Sequence, residues 1–163
     1  MDDQGGRTLP IYSMPGHVIR RLQQVAVSLF VDEMQIAGTD LTPVQFAALV
    51  AIDACPNIVQ SALGNMIAYD RTTIGGVIDR LENKGLVRRV VTRENRRIRQ
   101  LLIETEGVAL LKRAGPIVDN VQRRILGPLG EKERLAFVEL TGKILEAHNE
   151  LSRAPLRSGK TKN

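Results

Sequence analysis

The 163 residues include no tryptophan, two tyrosines and three phenylalanines. Proteins that bind single-stranded nucleic acid stack bases on aromatic side chains, so that class is disfavoured. Cysteine is almost missing too. Cys55 alone cannot make an intramolecular disulfide, which excludes a stapled secreted scaffold. Histidine occurs only at His17 and His148. With no His-Glu-x-x-His, no Cys-x-x-Cys and no Gly-rich phosphate loop, the chain offers no metal site, no cofactor and no catalytic residue, so an enzyme is not expected. No apolar run approaches the ~18 residues of a membrane helix, and no membrane partner is expected. Met1-Asp2-Asp3-Gln4 is acidic and polar, unlike a signal peptide, so the expected compartment is the reducing cytoplasm.

What is present is enough apolar surface to fold. Apolar residues make up 43% and charged residues 25%, suiting one ordinary domain or two small lobes sharing a core. The net charge is +5, and its distribution is uneven. Residues 71–99 carry nine basic side chains (Arg71, Arg80, Lys84, Arg88, Arg89, Arg93, Arg96, Arg97 and Arg99) against Asp79, Glu82 and Glu94. That window is +6, and the rest of the chain, with 14 basic and 15 acidic residues, is −1. A solvated face usually mixes signs, whereas a surface that displaces counterions from phosphates concentrates one.

Residues 1–13 have no period and read as an N-terminal arm. Pro15 suits a first helical position, and Val18, Leu22, Val25, Ala26 and Leu29 carry a helix to about Ile36, stopping near Gly38. Thr42-Pro43-Val44-Gln45 is a capping box that opens a second helix reaching Asp53. A third helix fits Val59 to Ile67. After a turn, Asp70 is a good N-cap for a fourth helix, about Arg71 to Lys84, with Ile74, Val77, Ile78 and Leu81 as its apolar stripe and Gly85 as its stop. Gly75 and Gly76 each cost this helix about 1 kcal/mol relative to alanine, so they serve either close packing or close approach to a DNA groove. Leu86–Val91 and Ile98–Ile103 read as a β-hairpin with an arginine-loaded tip. Two more helices follow. One begins near Glu104 with a kink or irregular turn expected at Gly115-Pro116, and the other runs from about Glu131 to Leu151 with apolar residues on more than one side. Such a breadth calls for a second subunit as cover. Ser152 to Asn163 reads as a flexible basic tail.

The expected fold is therefore mostly helical with a small β-hairpin wing. Residues 41–103 form a winged helix-turn-helix, and 14–40 with 104–151 form a helical dimerisation region. The second helix of such a motif enters a major groove, and wing arginines suit an A·T-rich minor groove.

In order and spacing, these elements resemble the multiple-antibiotic-resistance regulator (MarR) family of winged-helix transcription factors, from about His17 to Leu145. Asp70-Arg71-Thr72-Thr73-Ile74 followed by Asp79-Arg80-Leu81-Glu82-Asn83-Lys84-Gly85-Leu86-Val87-Arg88 resembles that family's recognition helix and first wing strand. Asn95-Arg96-Arg97 resembles its Asp-Arg-Arg wing signature, with Asn95 in place of the bracing Asp. Glu104-Thr105-Glu106-Gly107 resembles the Leu-Thr-x-x-Gly start of the fifth helix, with Glu104 where Thr is usual. Leu129 and Glu133 match the start of the sixth. The resemblance implies a homodimer reading pseudo-palindromic double-stranded DNA, most simply a repressor released by a small aromatic-acid or phenolic effector held between the dimerisation and DNA-binding parts. The segment Arg7 to His17 is similar to that of members regulating nicotinate or related aromatic catabolism.

On this reading the DNA-binding candidates are Arg71, Thr72, Thr73, Gly75, Gly76, Arg80, Arg93, Arg96 and Arg97. Thr72 or Thr73 would offer a methyl and a hydroxyl to base edges, unless it serves as a cap. Arg71 would reach guanine or a phosphate. Arg80 would touch a phosphate or else pair with Asp79 or Glu82. One of Arg96 and Arg97 reaches the minor groove while the other ties the wing down, and nearness to the tip favours Arg96. The effector candidates are Tyr12, His17, Arg20 and Arg21, with Met14 packing nearby. His148 reads as a surface or dimer contact and Cys55 as an inert thiol. Two other readings use the same basic face. One is an architectural DNA binder without an effector, and the other is a module that binds an acidic protein.

Overall fold

The structure is a computed structural model that describes residues 9–91 and 98–157. Six α-helices and three short strands follow in the order α1 (Pro15–Ile36), α2 (Pro43–Ala54), β1 (Ile58–Val59), α3 (Gln60–Met66), α4 (Arg71–Asn83), β2 (Val87–Val91), β3 (Arg99–Ile103), α5 (Thr105–Ile125) and α6 (Glu131–Ala147). No described helix is long and apolar enough to cross a membrane.

The capping signals act where the sequence places them. At α2, the Thr42 hydroxyl accepts from the Gln45 backbone N–H at 3.3 Å, and the Gln45 side chain accepts from the Thr42 N–H at 3.0 Å. Gly85, at φ +67°, ends α4 in a conformation that costs other residues dearly. The hairpin pairs antiparallel from Val87↔Ile103 to Val91↔Arg99. A third strand, β1, adds to β3 through Ile58↔Leu101 and Val59↔Gln100. Sequence reading takes Val59 as the start of a helix instead. Two residues are too few to show strand periodicity, and only pairing with β3 reveals the strand.

One core runs through the molecule. Leu49 and Ile52 of α2, Leu63 of α3, Ile74, Val77, Ile78 and Leu81 of α4, Val87 and Leu101 of the sheet, and Ala114 and Val121 of α5 are all buried. α1 buries Phe30 and Met34 in it, near its C-terminal end, with Leu29 packed against it. Val18 and Val25, part of the expected apolar stripe, are exposed, and so is Met14, which packs against nothing in the core. An ion pair between Arg124 and Glu33 fastens α5 to α1.

Four expectations change. The arm is not wholly irregular, because Pro10–Ser13 forms a 3-10 turn in which the Ser13 hydroxyl donates to the Pro10 carbonyl at 3.0 Å. Gly115-Pro116 does not interrupt α5, which is continuous to Ile125. α6 ends at Ala147, and a 3-10 turn over Asn149–Leu151 follows it. Finally, the tail is held as far as Arg157. The Asn149 side chain accepts from the Leu156 N–H at 2.8 Å, Arg157 pairs with Glu150 at 2.8 Å, and the Arg157 N–H donates to the Asn65 carbonyl of α3 at 2.9 Å. Composition identifies this segment as polar and basic but does not show that one asparagine fixes its backbone.

Candidate nucleic-acid interface

Helices α3 and α4 meet at a tight turn. The Tyr69 carbonyl lies so near Gly64 that a Cβ there would sit 2.8 Å from it, so only glycine lets the turn close on α3. Asp70 then caps α4. Its carboxylate accepts from the Thr72 and Thr73 N–H groups, both at 3.0 Å, and from the Thr73 hydroxyl at 2.6 Å. The Thr73 hydroxyl, with the backbone N–H groups behind it, holds the Asp70 pKa below its usual value. Thr73 is thus part of the cap, and Thr72 is the threonine whose side chain stays clear of it.

With Ile74, Val77, Ile78 and Leu81 turned inward, α4 leaves Arg71, Thr72, Thr73, Asp79 and Arg80 exposed, and Gly75 and Gly76 half-buried. The glycines are not there for internal packing. A Cβ at Gly76 would meet nothing within 4 Å, and one at Gly75 only the Gln60 amide at 3.6 Å. Their missing side chains instead keep the outward face of α4 low.

The basic window divides into two groups. Arg89 of β2 pairs with Asp79 at 2.6 Å and with Glu82 at 2.5 Å, fastening the hairpin to α4. Burial works against its charge, but the hydrogen bonds to both carboxylates outweigh that and raise its pKa. Arg88 pairs with Glu104 at 2.7 Å, and Lys84 with Asp40 at 2.6 Å. These three cations brace the fold. Because Asp79 and Glu82 are occupied by Arg89, they do not hold Arg80. Arg93, Arg96 and Arg97, with Asn95, lie outside the described residues.

Beside the start of α4 is a concavity of about 420 Å³ lined by Val59, Gln60, Ser61, Arg71, Ile98 and Arg99. Two arginines, a glutamine and a serine line it, and among the described residues no carboxylate does. These groups are the donors an anionic backbone requires. Gln60, Ser61 and Arg99 are missing from the candidates drawn from sequence. Gln60 and Ser61 are uncharged and lie outside the basic window, and Arg99 reads as a strand residue. Only the fold brings the three to Arg71.

The effector candidates lie elsewhere, at the N-terminal end of α1. Tyr12 and His17 stack obliquely, with ring centroids 6.0 Å apart, and the His17 Nε2 is buried without a hydrogen-bond partner. Arg20 is exposed and donates to Gln24 at 2.8 Å, and Arg21 is exposed. The structure brings Tyr12 and His17 together, and among the described residues no hydrogen bond joins either arginine to them.

Residues 41–98, spanning α2 to the start of β3, match the MarR family model. The chain is 34% identical over 129 residues to the transcriptional regulator HosA of Escherichia coli O157:H7, covering 79% of this chain and 93% of that protein. The chain belongs to the MarR family. It is a winged-helix DNA-binding transcriptional regulator, not an enzyme. Among solved MarR-family structures, it is similar to the repressor CouR bound to a 23-mer DNA duplex, with a TM-score of 0.75, 27% identity and coverage of 82% of this chain and 94% of that one. It is also similar to Bordetella bronchiseptica BpsR, whose DNA binding is regulated by 6-hydroxynicotinic acid. There the TM-score is 0.77 and the identity 27%, with coverage of 84% and 96%.

Proposed function

We propose that two copies of this chain, paired through α1, α5 and α6, hold two α4 helices about one helical turn of DNA apart, roughly 34 Å, on a pseudo-palindromic site. The observation that carries the DNA contact is the low outward face of α4 beside the concavity of Arg71 and Arg99, which no carboxylate among the described residues lines. Thr72 and Arg71 reach base edges, Gly75 and Gly76 admit the helix to the groove, and Arg80, Arg99, Gln60 and Ser61 hold phosphates. The arginines at 93, 96 and 97 remain the candidates from the sequence for the minor groove. Support for pairing comes from α6, which buries none of its residues, with Leu135, Val138 and Leu145 each at least 60% exposed. Bare aliphatic side chains on a full helix call for a partner surface, and a second copy supplies one by symmetry.

The regulator acts in the cytoplasm as a repressor released by a small aromatic acid. Release needs the effector to bind more tightly to a dimer whose α4 helices are wrongly spaced, because equal affinity for both forms shifts nothing. The test is selection of bound duplexes from a random pool, followed by titration of the selected complex with aromatic acids. The reading expects a two-fold-related site, two chains per duplex and release by an aromatic acid. Recovery of unrelated sequences, or a complex indifferent to every acid tried, contradicts it.

A further inference from the structure

Helix α6 and the residues after it have few polar ties to the rest of the chain. α6 buries none of its side chains. Among the described residues, one hydrogen bond and no ion pair joins anything after Gly130 to the chain before Gly127. In that bond the Arg157 N–H donates to the Asn65 carbonyl at 2.9 Å. Asn65 is the penultimate residue of α3, so its carbonyl is one of those that a helix end leaves without an internal partner. The neighbouring carbonyls are met locally, Leu63 by the Ile67 N–H and Gly64 by the Tyr69 N–H. The Asn65 carbonyl is met by a residue distant in sequence, beside the turn that leads into α4.

The segment that delivers this bond is locked. The Asn149 side chain accepts from the Leu156 N–H at 2.8 Å and donates to the Leu156 carbonyl at 3.2 Å, which closes residues 149–156 into a loop. The Arg157–Glu150 pair at 2.8 Å closes it a second time. Inside the loop the Ser152 hydroxyl accepts from the Ala154 N–H at 3.2 Å, and the ring of Pro155 fixes its own φ. A loose tether transmits no position, whereas a loop closed in this way does. We infer that Asn149 to Arg157 is a strap that carries the position of α6 to the helix-turn-helix, and that Asn149 is the positioning residue that keeps it set. The angle at which α4 meets DNA then depends on where α6 lies. That a second copy fixes α6 rests on the pairing proposed above. That the strap holds α3 does not.

The test uses three full-length variants, none of which touches the core. Arg157→Pro deletes the donating N–H, Arg157→Ala keeps it and removes only the side chain, and Asn149→Ala opens the loop. Each is titrated with the duplex recovered by selection and with the same duplex lengthened by one base pair at its centre. Amide hydrogen exchange is followed over residues 60–69. A net hydrogen bond is worth up to about tenfold in an equilibrium constant. Arg157→Pro and Asn149→Ala should therefore bind the selected duplex about three- to tenfold more weakly. They should bind the lengthened duplex as wild type does, and exchange severalfold faster over the α3–α4 turn. Arg157→Ala should match wild type throughout. Wild-type affinity for the selected duplex or wild-type exchange in Arg157→Pro and Asn149→Ala overturns the strap. An equal loss on both duplexes also overturns it, since simple destabilisation gives that result. A loss in Arg157→Ala as large as in Arg157→Pro does the same, because it marks a side-chain contact with phosphate. If wild type itself does not distinguish the two duplexes, the two-copy reading fails, and the exchange rates alone decide the strap.

Discussion

Replacing Arg89 with methionine removes the clamp between the hairpin and the recognition helix while keeping most of the side-chain volume. The Arg89 side chain is only 13% exposed, whereas Asp79 and Glu82 are 63% and 37% exposed. An exposed pair contributes at most about 1 kcal/mol, and stranding a buried charge costs about 3–5 kcal/mol. Here the two carboxylates regain water when the arginine is lost. The Arg89 backbone N–H bond to Glu82, at 3.0 Å, also survives the substitution. The expected loss is therefore about 2 kcal/mol, between those limits, corresponding to a fall in Tm of roughly 4–8 °C at this chain length. Urea unfolding at fixed protein concentration measures it, since the proposed pairing of two chains makes apparent stability depend on concentration. Arg89→Lys keeps the charge but not the two-pronged bridge, and should lose about half as much. A cycle with Glu82→Gln isolates the coupling. If Arg89→Met stays within about 0.5 kcal/mol of wild type, the range of inconsequential surface changes, the clamp does not hold the hairpin.

Gly76→Ala should stabilise the fold by about 1 kcal/mol, because helix propensity improves and a Cβ there meets nothing. The same variant should lose DNA affinity, and undiminished affinity in a titration with a selected duplex would show that this face does not approach the groove. The pKa of Asp70 is lowered in the folded protein, so its contribution to stability is fully present above the ordinary value of 3.8 and is lost as pH falls through the lower folded value. Asp70→Ala should therefore be less stable than wild type at neutral pH, and the two should converge in strong acid. A gap that does not change with pH would contradict the cap.

Legibility in the sequence followed the range of the interactions. The α2 capping box, the Asp70 cap and the apolar stripe of α4 are local, and Thr42, Gln45, Asp70 and Ile74 could be read from neighbours three or four residues away. β1 could not, since Ile58 is a strand residue only through Leu101. The basic window marked the right region but not the division of labour within it. Arg71 and Arg99 face the concavity while Lys84, Arg88 and Arg89 are bound to acids, and that difference depends on which carboxylates the fold brings near. Gln60 and Ser61 carry no charge to mark them. The exposed side chains of α6 were visible as excess breadth, because a helix that is apolar on several sides needs several partners.

The most direct measurement is the salt dependence of duplex binding, followed by fluorescence anisotropy, for wild type and for the double variant Arg71→Ala/Arg99→Ala. Each phosphate contact contributes about 0.9 to the slope of log K against log salt concentration. Loss of two contacts in each of the two proposed subunits should make the slope shallower by roughly 3–4 while urea stability stays near that of wild type. An unchanged slope would mean that the surface around the start of α4 does not grip the DNA backbone.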